Sequence, residues 1–548
     1  MGSGAMTNAI DEIYGADVIF VIGSNTNEQH PLIARRVIKA VRERGAKLIV
    51  ADPRAIGLSG FADVFIRPQP GTNVALLNGI MHAIIDQGLA DESFIAERME
   101  TESYRALKAV VANYPPERAA EIAGVPADDI RRAARLYGQA DRATILYAMG
   151  ITQHTSGTDN VQSVANLAML TGNVGRESTG VNPLRGQNNV QGACDMGGLP
   201  NVYPGYQPVS DPAIHEKFAR AWACNGGSGT ERWELGTATG LTVTEMVDAA
   251  GDGIRGLYIM AENSLLSDPD TNHVRAAFER LDFLVVQDIF FTETAQMADV
   301  ILPGASFAEK DGTFTNTERR VQRLRKAVAP PGEARADWEI ICEVGKQLEA
   351  RKAANLAGWD YCSPAKVMDE IARLTPIYGG MAYERLEDLG LQWPCPHADH
   401  PGTPYLHKDT FARGRGRFVP AEGRPPAEQP DDDYPLLLTT GRVLFHYHTG
   451  TMTRRSPTLT AQINEPFVEI HPDDSAQLGI SSADRVRVRS RRGEVELAAH
   501  VTERVPPGVV FIPFHFAEAP ANALTHAALD PTAKIPEYKV CAVRVTRL

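Results

Sequence analysis

At ~150 residues per domain, the 548-residue chain is long enough for three or four domains. It carries 55 Lys and Arg against 68 Asp and Glu, a net charge of −13, which argues against coating nucleic acid or an anionic membrane. Hydrophobic content of 43% and charged content of 22% exclude a disordered, collagen-like or coiled-coil chain, and no apolar run approaches the ~20 residues of a membrane-spanning helix.

The six cysteines (Cys194, Cys224, Cys342, Cys362, Cys395 and Cys541) come no closer than 20 positions, so the chain has no C-x-x-C pair, zinc ribbon or local iron–sulfur motif. They make no disulfide framework either, which agrees with a reducing, cytoplasmic compartment. The start, Met1-Gly2-Ser3-Gly4-Ala5-Met6, has no basic or apolar segment of a signal peptide.

In chain order, residues 17–23 (D-V-I-F-V-I-G) read as a buried strand. Residues 31–44 place Leu32, Ile33, Val37, Ile38 and Val41 at helical spacing, and residues 47–52 (K-L-I-V-A-D) form a second strand. Strand, helix and strand make a βαβ unit and so a parallel sheet with a right-handed crossover. Residues 62–66 are a third short strand. Residues 161–170 form a helix after Gly150-Ile151-Thr152-Gln153-His154, and residues 182–197 are a polar, Gly-punctuated binding loop with one cation, Arg185, among many amides.

The first pattern then returns. Residues 256–261 are a strand, 273–280 a short helix and 282–288 a strand, followed by Ala298-Asp299-Val300-Ile301-Leu302. Asp52 and Asp63 are 11 positions apart, as are Asp288 and Asp299, and the second aspartate of each pair opens an A-D-V-[FI]-[IL] string. These are two related α/β halves. In such sheets ligands bind beyond the carboxyl ends of the strands. Here those ends are residues 23–28 and 261–264, with Asp52-Pro53-Arg54 and Gln287-Asp288. Without a G-x-G-x-x-G motif this is not an ordinary NAD site, but Asn, Glu and Asp there suit a base or ribose; caps and turns are the alternative for any single residue.

Pro330-Pro331-Gly332 marks a domain edge. A connecting region runs to Asp431-Asp432-Asp433, and beyond it short strands at 468–470, 485–489, 494–498 and 509–513 predict a barrel. Arg487 and Arg489 share one strand face, which reads as solvated. His446-Tyr447-His448 lies on a strand-like segment; with no third ligand at matching spacing, it reads as packing or pterin hydrogen bonding rather than a metal pair.

The string R-G-Q-N-N-V-Q-G-A-C-D-M-G (185–197) resembles the molybdenum- or tungsten-dependent formate dehydrogenases of the molybdopterin oxidoreductase family. G-S-N-x-N-E-x-H-P, A-D-P-R, A-E-N-S-L-L-S-D-P, T-F-T-N-T-E-R-R, T-T-G-R-V-x-x-H-Y-H-T and F-H-F-A-E-A-P-A-N extend the resemblance over the whole chain. It implies an α/β fold of two related parallel-sheet dinucleotide-binding halves plus a C-terminal, double-psi-like β-barrel domain. The segments are 1–185, 186–330, a connecting region 331–433, and 434–548. It implies two molybdopterin guanine dinucleotides carrying Mo or W, contacted by Asn25, Glu28, Asp52, Gln187, Glu262, Gln287, Asp288, Arg442, His448, Asn522 and Lys539. Caps and ion pairs explain Glu28 and Asp52 nearly as well.

Arg185 matches the family's substrate arginine. A guanidinium is a planar fork that holds a carboxylate in one orientation, and formate is the smallest carboxylate; a structural salt bridge is the alternative. His154 is a second catalytic candidate, and a packed histidine at a helix start is its alternative. The resemblance implies oxidation of formate to carbon dioxide by transfer of hydride, or of a proton and two electrons, to the metal–sulfur centre. Electrons would pass to iron–sulfur clusters and on to NAD through iron–sulfur and flavin/NAD-binding partner subunits. The family's four-cysteine [4Fe–4S] motif and its metal-ligating selenocysteine or cysteine fall upstream of the given residues, so a longer protein is expected, with a UGA or Cys codon before Met1. Competing readings are a non-catalytic scaffold, as in the large iron–sulfur subunit of respiratory complex I, and a nitrate reductase. The arginine string disfavours both.

Overall fold

Strand β1 (Val18–Ile22) is buried at every residue because its alternation serves two cores. Val18, Phe20 and Ile22 join one apolar cluster, while Ile19 and Val21 join another. In this computed structural model, which describes residues 1–223, 235–351 and 358–548, β1 is joined by β2 (Lys47–Ala51), β3 (Val64–Ile66), β4 (Ala143–Tyr147) and β5 (Gly180–Pro183). The sheet runs β3-β2-β1-β4-β5 with every pairing parallel. Runs such as I-F-V-I, apolar at successive positions, are what a parallel sheet covered on both faces demands. Helix Pro31–Arg44 covers one face, with Pro in its first turn and Gly45 closing it at φ 71°. Helices Asn73–Asp86, Ala127–Gly138 and Gly157–Leu170 cover the other.

After a short antiparallel ribbon of β6 (Val202–Tyr203) and β7 (Gln207–Pro208) comes the second half. There β8 (Gly256–Met260), β9 (Phe283–Asp288) and β10 (Val300–Pro303) form a parallel sheet of order β10-β9-β8. The repeat read from aspartate spacing is physical. Asp63 Oδ2 accepts from the Leu48 amide at 2.9 Å, and Asp299 Oδ2 from the Leu284 amide at 2.7 Å. The residue just after the first strand of each half, Gly23 or Ala261, has φ of 57° or 56°. The Gly23 amide donates to Ala51 O, the last residue of β2, and the Ala261 amide to Gln287 O, one residue before the end of β9.

An antiparallel sheet of β11 (Gly312–Thr315), β12 (Arg320–Leu324) and β13 (Leu391–Gln392) follows. The barrel comprises β14 (Leu436–Gly441), β15 (Phe467–Ile470), β16 (Arg485–Arg489), β17 (Glu494–Val501), β18 (Val509–Pro513) and β19 (Cys541–Arg547), closed in the order β14-β18-β15-β17-β16-β19. Its pairings β14–β18 and β15–β17 are parallel and the rest antiparallel. Leu438, Ile470, Val486, Val488, Leu497, Val510, Ile512 and Val543 fill it. The sequence reading missed β14 and β19, the strands that pair to close the barrel. As expected of a solvated face, Arg487 pairs with Glu496 at 2.6 Å.

The chain divides into two compact units. One is Met1–Gly186, Leu265–Val274 and Tyr405–Leu548; the other is Gln187–Ser264 and Arg275–Pro404. The expected connecting region therefore splits. Past Tyr405 it belongs to the first unit, where Phe411 and Phe418 enter the core and Asn78 and Asn166 hold the carbonyls of Ala421 and Val419. Among the described residues the cysteines Cys194, Cys342, Cys362, Cys395 and Cys541 are free thiols; Cys224 lies outside them. No described helix is long and apolar enough to cross a membrane.

The second unit is organised around Asp195, which is fully buried. Its carboxylate accepts from Gln191 Nε2 (2.8 Å), Tyr206 Oη (2.8 Å), Tyr378 Oη (2.6 Å) and Trp393 Nε1 (2.7 Å). Burial dominates and raises its pKa, and the four donors oppose that shift. Asp195→Asn presents an amide N–H to donors that need an acceptor. It is expected to cost about 2 kcal/mol of stability, read as a lower urea midpoint.

Candidate active site and cofactor cradle

The first sheet reverses its strand order between β1 and β4, which opens a crevice at their carboxyl ends. There the two backbones nearly touch. The Gly150 amide donates to Gly23 O at 3.0 Å, and a Cβ on Gly23 would lie 2.7 Å from the Gly150 carbonyl carbon. Two glycines are the sterically allowed solution. Just beyond, both amide atoms of Asn25, Oδ1 of Asn27 and Nδ1 of His30 are buried with no hydrogen-bond partner among the described residues. Buried polar atoms left unpaired cost about 1–3 kcal/mol each, so such a concentration marks a surface shaped for a polar ligand.

A cationic cluster faces the same strand ends. Lys539 lies close enough to feel the charges of Arg442, Asp52 and Arg54, and Asp52 those of Arg54, Lys539 and Arg67. Lys539 Nζ donates to Thr440 O at 2.7 Å; burial first, then the Arg442 charge, push its pKa down to about 8. Burial likewise pushes Arg442 down to about 10. Burial pushes Asp52 up to about 6, against the pull of the Arg54 amide, which donates to it at 3.0 Å, and of the nearby cations. Arg54 is already neutralised: it clasps Glu469 of β15 through two 2.7 Å bonds and stacks 3.6 Å over Phe511. Among the described residues no carboxylate lies within ion-pair distance of Arg442 or Lys539. The cluster suits an anion.

Arg185 follows β5, which ends as the Leu184 amide donates to Tyr147 O at 2.8 Å. His30 Nε2 lies 2.7 Å from Arg185 O, and Arg442 Nη1 donates to Gly186 O at 2.6 Å. A Cβ on Gly186 would sit 2.6 Å from Arg442 Nη2, so the close stacking requires glycine. Burial raises the Tyr147 hydroxyl to about 12, and the Arg185 charge offsets part of that rise, placing the guanidinium near this phenol.

Asn25, Asp52, Arg185, Arg442, His448 and Lys539 thus converge, although they come from opposite ends of the chain. Burial first, then Arg442, pushes His448 down to about 3. The segment around it is a turn rather than a strand: His448 has φ 52°, and residues 442–450 carry no ladder because the chain leaves the barrel after Gly441. His446 stacks on His515 at 4.5 Å and its ring nitrogens sit 3.2 Å from Thr453 Oγ1 and Ile463 O. No cluster of three metal-ligating side chains occurs among the described residues.

Several other candidates are occupied by the fold. Glu28 pairs with Arg504 at 2.8 Å. His154 is buried, with Nε2 2.9 Å from Gly150 O and Nδ1 3.8 Å from Glu537. Asn522 Nδ2 donates to Leu266 O and Ser267 O at 3.0 Å. In the second unit, Gln287 takes a hydrogen bond from Tyr258 and donates to Asp337 at 2.7 Å. Asp288 accepts from the Ile289 amide at 2.6 Å, Glu262 is exposed at a strand end, and Gln187 is half-buried. Sequence reasoning passed over His30, Tyr147 and Arg54, although His30 sits inside the quoted N-E-x-H-P string and Arg54 inside A-D-P-R.

Residues 2–347 match the family described as Molybdopterin oxidoreductase, and residues 436–542 match the Molydopterin dinucleotide binding domain. The chain is 53% identical over 549 residues to the F420-dependent formate dehydrogenase subunit alpha of Methanocaldococcus jannaschii, covering 100% of this chain and 79% of that protein. It is 43% identical over 555 residues to formate dehydrogenase H of Escherichia coli, covering 100% and 75%. Acetylene hydratase from Pelobacter acetylenicus superimposes with a TM-score of 0.75 at 19% identity, covering 100% of this chain and 80% of that one, a likeness of fold.

Proposed function

The chain belongs to the molybdopterin oxidoreductase family, and we propose that it is the catalytic alpha subunit of a formate dehydrogenase, oxidising formate reversibly to carbon dioxide. The observation that carries this reading is Arg185, its carbonyl held by His30 and the next carbonyl, Gly186 O, held by Arg442, beside a cationic cradle. The residues fit a molybdopterin guanine dinucleotide. Arg442 and Lys539 are cations awaiting an anion such as a pyrophosphate, and the unpaired amide of Asn25 offers both a donor and an acceptor. Two such dinucleotides with Mo or W supply, when bound, the two-electron acceptor. Asp52, Gln187, Glu262, Gln287, Asp288, His448 and Asn522 are proposed further contacts, Gln287 and Asn522 by exchanging their present partners. Glu28 and His154 are proposed to act through the fold, as an ion pair and a packed ring.

Formate loses a proton and two electrons in becoming carbon dioxide. The Arg185 fork holds both carboxylate oxygens, which leaves the C–H bond as the group free to point away. Oxidation erases the carboxylate charge, so the fork that captures formate has little hold on the product. Electrons are proposed to leave through iron–sulfur clusters, including a [4Fe–4S] centre, to NAD or F420 on partner subunits in a cytoplasmic complex.

Metal and pterin analysis together with formate-dependent dye reduction tests the reading. Nitrate reduction without formate activity would reassign the substrate, and absence of metal and pterin would favour a scaffold. The relatives' identity and the arginine string disfavour both. The double variant Arg442→Met/Lys539→Met removes two charge-assisted contacts. It is expected to retain less than about a tenth of wild-type pterin after purification, read by fluorescence of the oxidised pterin.

A further inference from the structure

His30 caps the start of helix Pro31–Arg44, with its ring directed at the Arg185 peptide. A carbonyl oxygen only accepts, so the nitrogen 2.7 Å from Arg185 O carries the ring proton and donates it. Burial, the largest influence, lowers the pKa of this imidazole; the hydrogen bond to Arg185 O opposes that shift and the Arg442 charge adds to it, which favours the neutral ring. Its Nδ1 is then a bare acceptor, buried and unpartnered among the described residues, in the loop that carries the unpaired atoms of Asn25 and Asn27. An acceptor desolvated in a ligand cradle calls for a donor on the ligand.

We propose that His30 is a positioning residue for formate oxidation: Nε2–H holds the Arg185 carbonyl, and Nδ1 accepts a hydrogen bond from an N–H of the bound molybdopterin dinucleotide. One ring thereby ties cofactor binding to the placement of the substrate arginine. The proposal rests on the reading of Arg185 as the formate clamp.

Glutamine and asparagine separate the two roles. The Gln amide nitrogen reaches the place of Nε2 and keeps the donor but puts no acceptor at the Nδ1 position; the Asn amide does the reverse. The cofactor-loaded enzyme is assayed for formate KM and kcat, and for pterin retained through long dialysis, a readout independent of turnover. His30→Ala is expected to raise KM about tenfold, with kcat within about threefold, and to lose pterin about tenfold faster. His30→Gln should restore KM but not pterin retention, and His30→Asn retention but not KM. Wild-type KM and retention in His30→Ala would overturn the proposal. So would equal loss of both properties in all three variants when the cofactor-free His30→Gln protein melts at the wild-type Tm. If Arg185→Ala itself leaves KM unchanged, the formate-clamp reading fails; if Arg185→Ala raises KM and His30→Ala does not, the His30 role alone fails.

Discussion

Replacing Arg185 with alanine in the cofactor-loaded enzyme is expected to lower formate kcat/KM about 30- to 900-fold, a loss of about 2–4 kcal/mol of transition-state stabilisation. Pterin content should stay near wild type, because the cradle is built from Asn25, Arg442 and Lys539, while Arg185 is held through its backbone carbonyl by His30. The effect is large because one planar fork supplies both charge and orientation to a ligand that offers nothing else to hold. Arg185→Lys should recover only part of the loss, since an ammonium supplies charge without the fork. Steady-state kinetics with formate, beside pterin and metal analysis of the same samples, checks both statements. Unchanged kinetics in Arg185→Ala would sink the assignment.

Glu469→Ala is expected to destabilise the first unit by about 3–5 kcal/mol, read by urea unfolding followed by circular dichroism. The carboxylate is fully buried in β15 and receives two 2.7 Å bonds from Arg54, with Arg504 3.3 Å away. Its loss leaves the buried Arg54 guanidinium over Phe511 without the carboxylate that takes both of its hydrogen bonds. The double variant Arg54→Met/Glu469→Leu removes both charges and should recover most of that stability, because a buried ion pair contributes little beyond an apolar pair of similar volume. If Glu469→Ala were as stable as wild type, the clasp between strand ends and barrel would have no energetic weight.

Much of the fold was legible because short-range pattern sets it. The apolar runs of β1 and β2, the 3.6-residue spacing of helix Pro31–Arg44 and the paired aspartates each describe a segment's own neighbours. The 11-residue interval read as two related halves, and in the structure Asp63 and Asp299 each accept from an amide of the equivalent strand. Arg185 stood out in the sequence as the one cation in a run of amides and glycines, the run that carries the family resemblance. The closing strands β14 and β19 escaped notice because they are over 100 positions apart and pair with each other.

Which of these polar residues remain open to a ligand was decided by tertiary structure. Asn25 and Asn263 occupy matching places in the two halves and look alike as sequence. Asn263 is consumed by Glu293 and by Thr294, while Asn25 is left with both amide atoms unpaired. Glu28 and Asp52 read equally as cofactor contacts and as structural carboxylates. Glu28 pairs with Arg504, 476 residues away, and Asp52 meets Lys539 from the last hundred residues. The sequence by itself determined the elements, their repeat and the residue types at the strand ends, because those follow from local propensity and periodicity. The tertiary structure alone decided which side chains spend their hydrogen bonds and charges on the protein and which keep them for a ligand, because each is paired or left unpaired by partners hundreds of positions away.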